Sequence, residues 1–171
     1  MKHQNTIFEQ IIYTTIMSDT DIKIGIGFSQ IKFGMTEAQV RELLDEPDET
    51  EEMRFDDGGC ANIYYYDELG ISLSFEEEED YRLMEISFED EEFSIKNLLH
   101  VGVAKNDLPE IFKKLGLSEP EHEDLAGEGY EGKELYTFDD ENLNIWVDEG
   151  EVSSIQIGPL WKDDETISWP N

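Results

Sequence analysis

The chain carries one plan twice, and an internal repeat constrains a fold more than any single motif. Phe33-Gly34-Met35 aligns with Val101-Gly102-Val103. With that step in place, Val40 falls on Leu108, Leu43 on Ile111 and Leu44 on Phe112. Both copies therefore follow a glycine with apolar residues at i, i+3 and i+4, the spacing of one helix face. Thr36-x-x-Gln39 has the pattern of a capping box. Pro47 predicts the end of this first helix, because proline disfavours helix at the residue before it. The second helix is expected to start near Asn106 or Asp107, with Pro109 tolerated in its first turn and Gly116 as its stop.

The downstream halves match more closely. Residues 66–75, YDELGISLSF, lie over residues 138–147, FDDENLNIWV. Ile71, Leu73 and Phe75 fall on Leu143, Ile145 and Val147, in period-two strands. A further strand follows each, with Met84, Ile86 and Phe88 in the first copy and Ser153, Ile155 and Ile157 in the second. The alternate positions are polar: Ser72, Ser74, Glu85, Ser87, Asn144, Ser154 and Gln156. The expected fold class is α+β: two repeats, each a helix plus a three-stranded meander, forming an antiparallel sheet with helices on one face and water on the other. The expected division is an N-terminal extension over 1–23, repeats over 24–92 and 93–160 that share one domain, and a C-terminal tail over 161–171. Met17 opens the stretch MSDTD, so the first 16 residues read either as an upstream extension or as a short helix.

Gly34-Met35-Thr36, a short helix ending in Leu44-x-x-Pro47, and a three-stranded meander resemble the repeat unit of beta-lactamase inhibitor proteins. The unit is also similar to that of small bacterial outer-membrane assembly lipoproteins. The resemblance spans residues 31–88, and more loosely 99–157, where the threonine is missing and Pro120 comes later. It implies a tandem-repeat module that works by binding proteins.

Acidic residues number 43 against 12 basic ones, a net charge of −31. Such a chain repels nucleic-acid phosphates and anionic membrane surfaces and attracts basic partners or cations. Solubility is the competing explanation of the same charge. Hydrophobic residues at 38% leave enough apolar surface for a core. Cys60 is the single cysteine, which excludes an intrachain disulfide and reads as an inert thiol. No stretch approaches the roughly 18 apolar residues of a membrane span. The opening residues show no secretion signal, so a cytoplasmic location is expected.

No catalytic set stands out. His122 lies among carboxylates in EPEHEDL, without the ligand spacing and turn glycine of a hard-cation loop. His100 reads as structural. The GIG of residues 25–27 lacks the third glycine of a dinucleotide loop and reads as a strand or bulge. No cofactor or metal is expected. The polar sheet face offers more. Tyr65 and Trp146 alternate with apolar neighbours and so project from that face, flanked by the acidic turn Glu76, Glu77, Glu78 and Glu79. Either these rings anchor a partner, or the terminal segments, with Trp161 and Trp169, cover them. The functional expectation is a non-enzymatic inhibitor or immunity protein that neutralises a basic protein such as a toxin enzyme. The alternative is a cytoplasmic structural adaptor, with an enzyme a distant third.

Overall fold

A computed structural model describes residues 6–171. Helix α1 (Ile7–Met17) precedes three two-residue strands, β1 (Ile22–Lys23), β2 (Gly27–Phe28) and β3 (Ile31–Lys32). Helix α2 (Glu37–Leu44) leads into β4 (Glu49–Arg54), β5 (Cys60–Tyr66), β6 (Ile71–Glu76) and β7 (Arg82–Phe88). The second half follows suit: β8 (Ser94–Ile95), β9 (Leu99–His100), α3 (Leu108–Leu115), β10 (Glu121–Asp124), β11 (Lys133–Phe138), β12 (Leu143–Asp148) and β13 (Glu151–Ile157). A hairpin of β14 (Leu160–Asp163) and β15 (Thr166–Ser168) ends the chain. Residues 1–5 of the expected extension lie outside the described residues.

The expected α+β class does not hold. The protein is mostly β, 43% strand against 22% helix, and is built on one eight-stranded antiparallel sheet ordered β10-β11-β12-β13-β7-β6-β5-β4. Each half supplies four strands rather than three. The missed strands, β4 and β10, are the two sheet edges, and every residue in them is exposed. An edge strand open on both faces has no apolar alternation to betray it, and ETEEMR and EHED carry the charges that protect an edge from further pairing.

The helix signals are realised. Thr36 accepts from the Gln39 amide at 3.3 Å, and Gln39 accepts from the Thr36 amide at 2.9 Å, which completes the capping box. Gly116 ends α3 in the left-handed conformation, φ +68°. Val40 and Leu44 of α2 and Leu108 and Phe112 of α3 pack on the apolar sheet face with Leu73, Phe75, Ile86, Ile145 and Ile155. At the midline, Phe28, Phe88 and Phe93 meet with ring centroids 5.1–5.4 Å apart. The halves join where β7 pairs with β13 through Ile155–Phe88, Gln156–Ser87 and Ile157–Ile86. Ser87 and Ser154 hydroxyls lie 3.0 Å apart across this seam.

Strict alternation fails at one point in each half. The β6–β7 register shifts after Ser74, so that Phe75 faces Leu83, and Met84 becomes the extra residue of a β-bulge. The β12–β13 register shifts after Trp146, so that Val147 faces Val152, and Ser153 is the extra residue. Leu83 and Val152 thus take the core positions that alternation assigns to Met84 and Ser153. The repeated glycine step docks at these bulges. Gly34 donates to the Leu83 carbonyl at 3.1 Å and the Leu83 amide donates to the Met35 carbonyl at 2.8 Å. In the second half, Gly102 donates to the Val152 carbonyl at 2.8 Å, and Val152 returns a bond to Val103 at 2.9 Å.

Both glycines need positive φ, +88° at Gly34 and +93° at Gly102, yet their surroundings differ. A Cβ on Gly34 would lie 2.8 Å from the Trp169 ring, whereas Gly102 faces open space. Gly102→Ala should therefore cost only the backbone term, about 1–2 kcal/mol. Gly34→Ala should cost clearly more, and adding Trp169→Ala should recover part of the difference. Urea melts of the three variants check the ordering.

Candidate functional site

Tyr65 and Trp146 share the polar sheet face but are not brought together. Four strand spacings separate β5 from β12, roughly 19 Å. Both polar handles are already engaged. The Tyr65 hydroxyl donates to Glu51 at 2.8 Å, a bond that, with partial burial, pushes its pKa up. The Trp146 indole N–H donates to Gln156 Oε1 at 2.8 Å. Glu77, Glu78 and Glu79 form a one-turn 3₁₀ segment at the tip of the β6–β7 hairpin. Glu77 and Glu78 are exposed, and Glu77 accepts from the Cys60 thiol at 3.1 Å.

Glu76 departs from that exposed set. It closes β6 and lines a groove of about 170 Å³ over the β7–β13 seam, with Met84, Glu85, Asn144, Gln156 and Trp161. The bulge builds this groove. It turns Met84 away from the core, where its side chain becomes an apolar floor that is 8% exposed. The β14–β15 hairpin adds a wall through Trp161, 47% exposed. Glu85 stands between them, paired across the sheet with Ser74.

Two carboxylates thus share one half-buried place. Burial raises the pKa of Glu85, and the neighbouring Glu76 adds to the rise. Burial also raises Glu76, helped by Glu78 and Glu79. Neither the Glu76 nor the Glu85 carboxylate has a hydrogen-bond or ion-pair partner among the described residues. Desolvated like charges without a cation are costly, and their arrangement suits a cation that arrives from outside.

A second buried carboxylate shows the contrasting, satisfied case. Glu134 on β11 is 8% exposed and accepts from Lys105 at 2.6 Å and His122 at 2.8 Å. The Lys105 hydrogen bond leads in holding its pKa below the usual glutamate value. His122, which lies among carboxylates in the sequence, stacks on Tyr136, 4.4 Å between centroids, and ties edge strand β10 to β11. Among the described residues no three His, Cys, Asp or Glu side chains converge to hold a metal ion. None of their helices is long and apolar enough to cross a membrane.

Alternation places Glu85 on the polar face, but sequence reasoning did not single out Glu85, Met84 or Trp161 as a site. Glu85 is one of many acidic residues, and the bulge that pairs it with Met84 leaves no mark in the alternation. Trp161 appears in the sequence only as a ring in the tail.

Residues 16–109 match the model of a family described as a domain of unknown function (DUF7738). The chain belongs to this family. The matched segment of this family member holds Tyr65, Glu76, Met84 and Glu85, and ends before Trp146, Gln156 and Trp161. No curated protein matches the chain. Among solved structures, an extracellular protein containing a SCP domain from Bacillus anthracis str. Ames is similar at a TM-score of 0.42 and 14% identity. The likeness covers 74% of this chain and 43% of that one, so the chain spans under half of that structure's length.

Glu85 and Glu134 should respond oppositely to neutralisation. Glu85 has a raised folded pKa, so its contribution favours the fold below the unfolded value near 4.5 and is lost as pH rises through the folded one. Glu85→Gln should therefore raise the melting temperature at pH 7, and the gain should vanish below about pH 4.5. Glu134 has a lowered folded pKa, so its stabilisation is present above about pH 4.5 and lost as pH falls through the folded value. Glu134→Gln should cost about 1 kcal/mol at pH 7 by removing the charge that Lys105 and His122 pair with, with the deficit shrinking in acid. Thermal melts from pH 3 to 7 read both signs.

Proposed function

We propose that the protein is a non-enzymatic binding module whose groove at Glu76 and Glu85 receives a lysine or arginine side chain from a basic protein partner. The observation that carries this reading is the unpaired, half-buried carboxylate pair. Keeping it ionised at neutral pH costs stability, and a cation inserted between the two groups would remove that cost. Met84 and Trp161 suit the methylene stem of such a side chain, and the indole face adds a cation–π contact. The net charge of −31 would speed encounter with a basic protein. Tyr65 and the Glu77–Glu79 turn lie further out and act as rim, steering rather than anchoring. Trp146 fixes Gln156, which lines the groove.

Within this reading the role is inhibitory, of the immunity-protein kind, as the resemblance to beta-lactamase inhibitor proteins implies. A cytoplasmic setting suits a chain with one free thiol and a basic enzyme as its target.

Tetra-arginine and tetralysine peptides are the probes, with binding followed by Trp161 fluorescence and amide chemical shifts. The dissociation constant should rise tenfold or more on combining Glu76→Gln with Glu85→Gln. Combining Glu77→Gln with Glu78→Gln should mainly flatten the salt dependence, because exposed charges act on encounter. Equal effects from the two pairs would mean diffuse attraction with no groove-specific contact, and would overturn the reading. A protein captured by the wild type but not by Glu85→Gln is then assayed for its own activity with and without the chain, which tests inhibition.

A further inference from the structure

The groove at Glu76 and Glu85 presents its amide groups in a fixed sense. Asn142, in the turn between β11 and β12, lines it and reaches the Pro159 carbonyl at 2.9 Å. A carbonyl only accepts, so Asn142 donates through Nδ2 and leaves Oδ1 as an acceptor with no partner among the described residues. Gln156 is turned the other way. The Trp146 indole only donates, so the bond at 2.8 Å takes the Gln156 oxygen and leaves its NH2 group on the lining. Ionised glutamates accept only. A cation is therefore drawn to the side of Glu76, Glu85 and Asn142 Oδ1, and away from the Gln156 amide.

These acceptors stand on β6, on β7 and on the β11–β12 turn, so they approach from separate directions. A lysine ammonium is a compact, strongly hydrated point charge. A guanidinium is planar, weakly hydrated and carries five N–H donors in a rigid fork. Its separate edges can meet separate oxygens, and a half-buried place costs it less hydration. Trp161 forms the wall and offers a face on which a guanidinium stacks. A volume of about 170 Å³ lies below the roughly 300–1,000 Å³ of sites for whole small molecules and suits one side chain.

Resting on the binding role proposed above, we infer that the groove selects arginine over lysine, with Asn142 Oδ1 as a specificity-determining acceptor. A partner whose arginine is methylated on the guanidinium keeps its charge but loses N–H donors, and the groove rejects it.

Blocked peptides Gly-Gly-Xaa-Gly-Gly, with arginine, lysine or asymmetric dimethylarginine at Xaa, carry the same charge and test the selectivity. The full chain is titrated with each, and its amide and Trp161 indole shifts are followed. The arginine peptide should bind fivefold or more tighter than the lysine peptide, and dimethylation should remove that advantage. Asn142→Gly tolerates the positive φ of this position, +46°, and removes the acceptor. It should shrink the arginine-to-lysine ratio twofold or more, whereas a merely structural role would weaken both peptides alike. Equal binding of arginine and lysine, retained affinity after dimethylation, or an unchanged ratio in Asn142→Gly each overturns the inference. Combining Glu76→Gln with Glu85→Gln reads the binding role separately. Equal arginine and lysine binding that is lost in this double variant overturns the selectivity alone. No binding, or binding that the double variant retains in full, overturns the selectivity and the groove together.

Discussion

Two backbone contacts organise this protein. In each half, the peptide after a left-handed glycine pairs with the residue that a β-bulge brings inward, Gly34–Met35 with Leu83 and Gly102–Val103 with Val152. Side chains alone could not do this, since the exchange uses main-chain donors and acceptors that burial obliges to be paired. The contacts seat both helices over the sheet, because α2 and α3 start two and five residues after the glycine steps end. They also hold the bulges in place. A bulge both ends strict alternation and increases local twist, so the shape of the outer sheet face follows from a contact made on the inner one.

That coupling creates the groove. In the first half the bulged residue is Met84, a large apolar side chain in a groove that Glu76, Glu85, Asn144 and Gln156 also line. In the second half it is Ser153, and no comparable apolar floor forms. The two halves share an architecture but differ in what the extra residue presents to solvent. The terminal hairpin then uses one tryptophan on each side of this frame: Trp161 walls the groove, and Trp169 lies against Gly34 with the Arg82 guanidinium 5.7 Å above its ring.

The charge is distributed unevenly in energetic terms. Glutamates on the edge strands and the hairpin tip are solvated, and their mutual repulsion is screened. Glu134 is buried but satisfied by Lys105 and His122. Glu85 and Glu76 are half-buried and unsatisfied, which is the kind of local cost that proteins retain at working surfaces rather than in scaffolding.

The capping box at Thr36, the glycine stop at Gly116 and the alternating strands β6 and β12 are legible in the sequence, because each depends on neighbours a few residues away. The antiparallel sheet and its polar outer face follow from the same periodicity. The edge strands β4 and β10 are not legible, since a strand exposed on every side leaves no apolar pattern. Nor is the mostly-β class, which depends on counting those strands. The inward place of Leu83 and the outward place of Met84 come from a register shift, set by hydrogen bonds to a glycine step some fifty residues away in sequence. Glu85 looks like any other of 43 acidic residues until tertiary packing removes its water and withholds a cation. The sequence by itself determined where α2, α3 and the alternating strands lie and which of their faces are apolar, through local spacing. Only the tertiary structure decided which charges are left unpaired, because desolvation and pairing depend on residues far apart in the chain.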